Sequence, residues 1–285
     1  MIKFIVCSDS DIPVADIKKY NIDLLPLIVE LDGVEYRAYR DISGEDFREL
    51  LKKTKSFPKT ATVSSTEMAD KMRGHIEDGH EVVMVTMSSK GSGTFNVARL
   101  AKEQLEEEYR RELPINIVDS MNFSIAYLHP LYNAVEMAQN GHTCQEIVDY
   151  LDAAYKKRQL MFIMTDLEYL KRGGRIKPGA AIIGRVLGVI PILHVNEGMI
   201  EPIGKERGMK KTIDSLMNII EEKCPSKKLG SVRLLQCNRQ KEAEMIEDMI
   251  KQRFEVKEIL PTTSSEASVA AHSGFDLIGI TFEIN

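Results

Sequence analysis

The turn Ser88-Ser89-Lys90-Gly91-Ser92-Gly93-Thr94 carries four hydroxyls and two glycines between an apolar run and an amphipathic one. Residues 82–87 read as a strand and 95–109 as a helix, which makes the turn a strand-to-helix junction. In a parallel α/β sheet such a junction lies at the carboxyl ends of the strands, where ligands bind, and the helix start offers unpaired amides and a positive dipole end. The chemistry implied is the holding of an anion. Ser92 either caps the helix or caps it and holds the anion, because one geometry serves both. A phosphate loop requires its lysine after the glycines, whereas Lys90 precedes them. There is no G-x-S-x-G elbow, and no Ser-His-Asp set can be assigned, so no nucleophile is named.

A second hydroxyl-rich turn, Thr60-Ala61-Thr62-Val63-Ser64-Ser65-Thr66-Glu67, precedes another amphipathic stretch. Ser64 and Glu67 fit a capping box, which leaves Thr60 and Thr62 in the entry turn; local bonds to backbone are the ordinary use of such threonines. In Asp166-Leu-Glu-Tyr-Leu-Lys-Arg-Gly-Gly-Arg-Ile176, Thr165 with Glu168 resembles a capping box. Leu167 and Leu170 share a face there, and Gly173-Gly174 ends the short helix so that Arg175 leaves a tight turn. For a single arginine a surface salt bridge is the common role. Residues 205–211, Lys-Glu-Arg-Gly-Met-Lys-Lys, read as a solvated helix start.

These turns need a scaffold. Apolar segments at 2–6, 24–31, 82–87 and 115–118 alternate with amphipathic ones at 47–53, 68–76 and 95–109, the pattern of a parallel sheet flanked by helices. Helical patterns at 123–139, which Pro130 should kink or divide, and at 144–157 follow. Strands at 160–164, 189–195, 231–237, 256–260 and 277–282 then interleave with helices at 209–222 and 241–253. Asn196-Glu197-Gly198-Met199 marks a hairpin and hence antiparallel pairing. The fold class predicted is α/β in two domains, 1–158 with a parallel sheet and 159–285 with a mixed one, and a cleft between them. The length of 285 residues suits that division.

Composition narrows the function. The chain is 43% hydrophobic and 28% charged, and no apolar run reaches the roughly 18 residues of a membrane span. A net charge of −5 and a pI near 5.8, with no dense basic block, argue against a nucleic-acid partner. The start is too short in its apolar run and too acidic after it for a secretory leader, so a cytoplasmic location is expected. The four cysteines are far apart, and His75 and His80 do not share a helix face, so neither a metal nor a cofactor is expected. Among the fourteen methionines, Met161 and Met164 on one strand would suit an adaptable tunnel, although core filling is the commoner use.

Read together, these segments resemble the DegV family of bacterial fatty-acid-binding proteins over essentially the whole chain. The 166–176 block and Ser92-Gly93-Thr94 are the specific matches. Supporting ones are Ser8-Asp9-Ser10-Asp11-Ile12-Pro13, Asp41-Ile42-Ser43, Val118-Asp119-Ser120, Pro191-Ile192-Leu193, Lys205/Arg207 and His272-Ser273-Gly274. The resemblance implies a long-chain fatty acid between two domains, its carboxylate bound by Thr60 and Ser92, with Thr62, Ser89, Gly93, Thr94 and His272 nearby. It implies a carrier, with no catalytic residue of its own, that presents the acid to a separate fatty-acid kinase. Arg175, Lys205 and Arg207 would dock that kinase. The alternative is a small-molecule phosphotransferase or hydrolase using the turn at 88–94.

Besides an opening segment shorter than the family's by about two residues between Ser10 and Asp11, the sequence departs from the family in two places. The usual Thr-Ser-Gln-Pro-Ser turn is Thr60-Ala61-Thr62-Val63-Ser64 here, and the usual Gly-Pro-Gly after the histidine is Gly274-Phe275-Asp276. The second change brings a ring and an acid near the carboxylate end unless both point away.

Overall fold

The computed structural model describes residues 1–177 and 188–284. The N-terminal half alternates strands and helices: β1 (Ile2–Cys7), α1 (Val14–Tyr20), β2 (Asp23–Leu25), β3 (Ile28–Leu31), β4 (Val34–Arg37), α2 (Gly44–Leu51), β5 (Lys59–Ala61), α3 (Ser65–Glu77), β6 (Glu81–Thr86), α4 (Thr94–Tyr109), β7 (Ile115–Asp119), α5 (Leu128–Gln139) and α6 (Cys144–Lys157). Short 3-10 turns at Ser8–Ser10 and Ser124–Tyr127 follow β1 and precede α5. β2, β1, β6 and β7 form a parallel sheet in that order. Its strands are apolar on both faces, as β6 shows with every residue after Glu81 buried, because helices cover both sides. Met68, Met72 and Ile76 of α3 with Ala98, Ala101 and Leu105 of α4 pack one face, and α5 and α6 lie on the other.

The segment expected as one strand at 24–31 is two. β2 joins the parallel sheet, whereas β3 pairs with β4 and β5 in a separate antiparallel sheet. Between them Pro26 has no amide to donate, and the Leu27 amide turns to Ser8 Oγ at 2.9 Å. Pro130 does not kink a helix either: the 3-10 turn ends at Tyr127, and Pro130 lies in the first turn of α5, where an amide would have no intrahelical acceptor.

From residue 158 the elements are β8 (Arg158–Met164), α7 (Glu168–Gly173), β9 (Val189–Asn196), β10 (Met199–Arg207), α8 (Met209–Lys223), β11 (Lys228–Cys237), α9 (Gln240–Arg253), β12 (Glu255–Ile259), β13 (Thr263–Ser264), α10 (Ala267–Ser273) and β14 (Leu277–Ile284). They build a seven-stranded mixed sheet, β10-β9-β8-β14-β11-β12 with β13 beside β11. The hairpin at 196–199 joins β9 and β10 antiparallel. Ile213, Leu216, Met217 and Ile220 of α8 recur at helical spacing and, with α9, cover one face of this sheet. The other face joins a core shared with β1, β6, α5 and α6. α10 packs instead under the three-stranded sheet, its Ala267, Ala270 and Ala271 against Val29, Leu31 and Phe47.

Among the described residues no helix is long and apolar enough to cross a membrane. Nor, among them, does any group of three or more His, Cys, Asp or Glu side chains offer a metal site.

Candidate functional site

The order β2-β1-β6-β7 reverses direction between β1 and β6, so the carboxyl ends of these strands open a crevice. The Ser8–Ser10 turn leaves one strand and the turn at 88–94 leaves the other. Across the crevice stand α10 and the face of the mixed sheet opposite α8 and α9. Between them lies a cavity with about 800 Å³ of empty space, counting the solvent at its open mouth.

Most of the wall is hydrocarbon. Phe162 and Met164 of β8, Leu235 of β11 and Leu277 of β14 form its floor. Strand alternation assigns these side chains to the cavity while Met161, Ile163, Ile278 and Ile280 pack against α8 and α9 on the opposite face. Of the methionines considered for a tunnel, Met164 lines it and Met161 is core. Gly279 sits in the middle of the floor, paired in register with Phe162 and Leu235. A Cβ there would meet the Phe162 Cβ at 3.5 Å and the Leu235 Cβ at 3.8 Å, which is ordinary contact. What glycine supplies at this position is space.

One end of the cavity is polar, and Thr60, Ser92, Arg175 and His272 all line it. Thr60 on β5 and His272 on α10 are 212 residues apart in sequence, yet Thr60 Oγ1 lies 2.8 Å from His272 Nε2. The imidazole has no partner at Nδ1 among the described residues, and a Cβ on Gly173 would stand 2.3 Å from that atom. A buried orphan N–H is rarer than an under-used acceptor, so the ring proton belongs on Nε2, where it is donated to Thr60. The Thr60 hydroxyl hydrogen is then left for the cavity. Burial, and secondarily the charge of Arg175, push the His272 pKa down to about 3, so the ring is neutral near pH 7.

Ser92 can offer a hydrogen to the same end. Its Oγ accepts from the Thr94 amide at 3.2 Å and lies 2.8 Å from Thr94 Oγ1. Thr94 Oγ1 donates to Thr62 at 3.4 Å, which makes Ser92 the donor to Thr94; if Thr94 turns its hydrogen to the shorter contact instead, the Ser92 hydrogen is released to the cavity. Arg175 ties the two sides together: its Nε donates to the Gly91 carbonyl at 3.0 Å and a terminal nitrogen donates to the carbonyl of Gly173. Burial lowers its pKa from the ordinary arginine value. Two hydroxyls that can turn their hydrogens to the cavity, beside a guanidinium, make a receptor for an anion.

Of the residues singled out from sequence, Thr60, Ser92, Arg175 and His272 thus converge. Thr62 and Thr94 stand one contact behind Ser92, and Gly93 is the exposed N-cap of α4. The Ser89 amide points to the Asp119 carboxylate, and Ser89 is not part of the cavity lining. Lys205 and Arg207, read as a helix start, are exposed residues of β10, the outermost strand of the mixed sheet; the helix begins only at Met209, after Gly208 at φ +87°. Arg175, read from sequence as a surface ion pair or a docking residue, instead lines the cavity. Of the capping boxes, Ser64 does accept the Glu67 amide, but the Glu67 carboxylate pairs with Arg37 instead. Thr165 bonds Asp276, and Asp166 rather than Thr165 receives the Glu168 amide. Phe275 and Asp276 both point away from the cavity, the ring edge-on to Tyr169 and the acid paired with Arg239.

Sequence reading missed Asp9, Ser124 and Ser268, which also line the cavity, and Gly279. A glycine inside the apolar run Leu277-Ile-Gly-Ile-Thr-Phe282 was a usable signal for close approach. Asp9, the second residue after a parallel strand, was another.

An α/β chain whose cavity pairs an anion receptor with a hydrocarbon wall has the layout of a receptor for an amphiphile. A family model described as uncharacterised protein, DegV family, matches residues 1–285, and the chain belongs to the DegV family. It is 29% identical to a fatty acid-binding protein of Thermotoga maritima over 99% of this chain and 98% of that one. Among solved structures, a DegV lipid binding protein of Thermotoga maritima matches with a TM-score of 0.88 at 27% identity, covering 99% of this chain and 98% of the other. A stearic acid-binding protein of Eubacterium ventriosum matches at 0.89 and 26%, covering 100% and 98%.

Proposed function

We propose that this chain binds a long-chain fatty acid, with the carboxylate held by Thr60 and Ser92 and the tail laid over Phe162, Leu235, Leu277 and Gly279. The observation that carries this reading is the pair of hydroxyls, Thr60 and Ser92, beside Arg175 at one end of a cavity walled mostly by hydrocarbon. Burying a methylene contributes on the order of 0.8 kcal/mol, so a sixteen-carbon tail offers roughly 10 kcal/mol before ordering costs. The carboxylate's lost hydration is offset by charge-assisted hydrogen bonds. Thr94, with Thr62 behind it, braces Ser92, His272 braces Thr60, and Gly93 and Ser89 keep the turn in place. The fatty acids bound by the related Thermotoga and Eubacterium proteins support the same ligand class.

In this reading the protein is a carrier, working in the cytoplasm, that presents the acid to a separate fatty-acid kinase. Lys205 and Arg207, exposed on an outer strand, suit docking of an acidic partner surface, and Arg175 would meet the head group being modified. We place the domain division at 158/159, one residue into β8 and just past the end of α6 at Lys157. The test is mass spectrometry of an organic extract of the purified protein, together with titration of the delipidated chain with octadecanoic acid. A co-purifying acyl chain and saturable uptake are expected. No acyl chain and no uptake, or nucleotide-dependent turnover by the chain alone that Ser92→Ala abolishes, would overturn the reading.

A further inference from the structure

A second polar group interrupts the hydrocarbon wall, and the anion receptor does not account for it. Asp9 lines the cavity from the turn after β1 and is 5% exposed. Its Oδ1 accepts the Tyr127 hydroxyl at 2.7 Å, while Oδ2 is buried with no partner among the described residues. An unsatisfied oxygen of this kind is costly in a tunnel meant only for methylenes. Burial pushes the Asp9 pKa up to about 6, so near pH 7 most of the population carries a charged acceptor.

Hydroxyls from two other elements line the same cavity. Ser8 Oγ accepts the Leu27 amide at 2.9 Å and lies 2.7 Å from Ser268 Oγ. With Ser8 donating across that contact, Ser268 keeps its own hydrogen for the cavity. Ser124 gives its hydrogen to the Asp11 carboxylate and retains acceptor capacity. The turn bearing Asp9 packs against both the Ser124–Tyr127 turn and α10, so the three groups form one polar band. Ser268 and His272 are four residues apart on α10, one helical turn or about 6 Å along its axis, which sets the band apart from the anion receptor.

An acceptor beside a donor within a hydrocarbon wall matches an alcohol, which gives one hydrogen bond and takes one. We propose that the preferred ligand is a hydroxylated long-chain acid whose chain hydroxyl donates to Asp9 Oδ2 and accepts from Ser268. This inference rests on the fatty-acid reading above and names a narrower class for the same cavity.

The experiment displaces a fluorescent fatty acid from the delipidated full-length chain, using octadecanoic acid and a series of octadecanoic acids with a single hydroxyl moved along the chain. One hydroxyl position, or two adjacent ones, should bind about tenfold or more tighter than the other isomers, the worth of a hydrogen bond to a charged group. Asp9→Leu should flatten that positional profile, as should Ser268→Ala. If Asp9→Leu does not fold, the wild-type profile together with Ser268→Ala decides. If octadecanoic acid binds and the hydroxylated isomers all bind more weakly with no favoured position, the inference falls and the fatty-acid reading stands. If neither octadecanoic acid nor any isomer binds, both fall.

Discussion

The two faces of the mixed sheet are made of the same kinds of residue and meet different fates. Along β8, Met161 and Ile163 are locked against α8 and α9, while Phe162 and Met164, one residue over, look into the cavity. Along β14 the same alternation separates Ile278 and Ile280 from Leu277 and Gly279. The difference lies in what covers each face. α8 and α9 present regular apolar stripes that bury Met161, Ile163, Ile278 and Ile280 against them. The opposite face is met by strand-end turns and the short helix α10, whose irregular surfaces leave a slot. A binding cavity here is a packing face left incomplete, and Gly279 is the position where that incompleteness is most direct.

The sharpest way to break this comparison is to cut into the filled face. Ile280→Ala should lower unfolding free energy by about 2–5 kcal/mol, the usual cost of emptying a packed site, measured by urea denaturation; a loss under about 1 kcal/mol would mean that face is as loosely filled as the cavity. On the open face the opposite experiment applies. Gly279→Leu should fold and fill the slot, weakening octadecanoic acid by about a hundredfold, the scale of overpacking a fitted cavity. Unaltered affinity in a folded Gly279→Leu variant would put the tail elsewhere.

A smaller effect separates the polar end from the floor. Thr60→Val should weaken the free acid by about tenfold, and the corresponding methyl ester much less, since the hydrogen bond lost is one to a charged group. Equal losses for both would remove Thr60 from carboxylate binding.

The smallest effect is on pH dependence. His272 has its folded pKa lowered to about 3 from an ordinary 6.5, so the stability tied to its neutral ring is present above pH 6.5 and is lost as pH falls through that window. Asp9, raised to about 6 from 3.8, works the other way: its contribution is full below 3.8 and is lost as pH rises through 6. Relative to wild type, His272→Gln should therefore gain stability on acidification from pH 6.5, and Asp9→Asn should lose it from pH 6. Parallel stability profiles for all three proteins would remove both groups from the acid response.

Much of this arrangement could be read from residue order, because it depends on local signals. The strand-to-helix junction at 88–94, the hairpin at 196–199 and the helical stripes of α3, α4 and α8 are written in short spacings, and each forms where those spacings put it. What could not be read was which distant segments meet. Nothing near Thr60 says that His272 will brace it, and nothing in Thr165-Asp166 says that the acid takes the amide while the threonine turns to Asp276. Lys205 was misassigned because charge and glycine at 205–211 look like a helix start, whereas pairing with Pro191 of β9 extends the strand through Arg207. Tertiary partners outweighed local propensity there.

The hairpin between β9 and β10 has a kinetic consequence. Ser88 Oγ donates to the Gly198 carbonyl at 2.7 Å, and a Cβ on Gly198 would stand 2.5 Å from that same oxygen. The loop of one sheet is thereby clasped to the turn that carries Ser92 on the other. Anything that pries the two sheets apart must tug on that turn, so widening the slot also disturbs the grip on the anion. Cargo held in this way should leave slowly while the clasp is fastened and quickly once it is undone, which couples residence time to a single contact remote from the greasy floor.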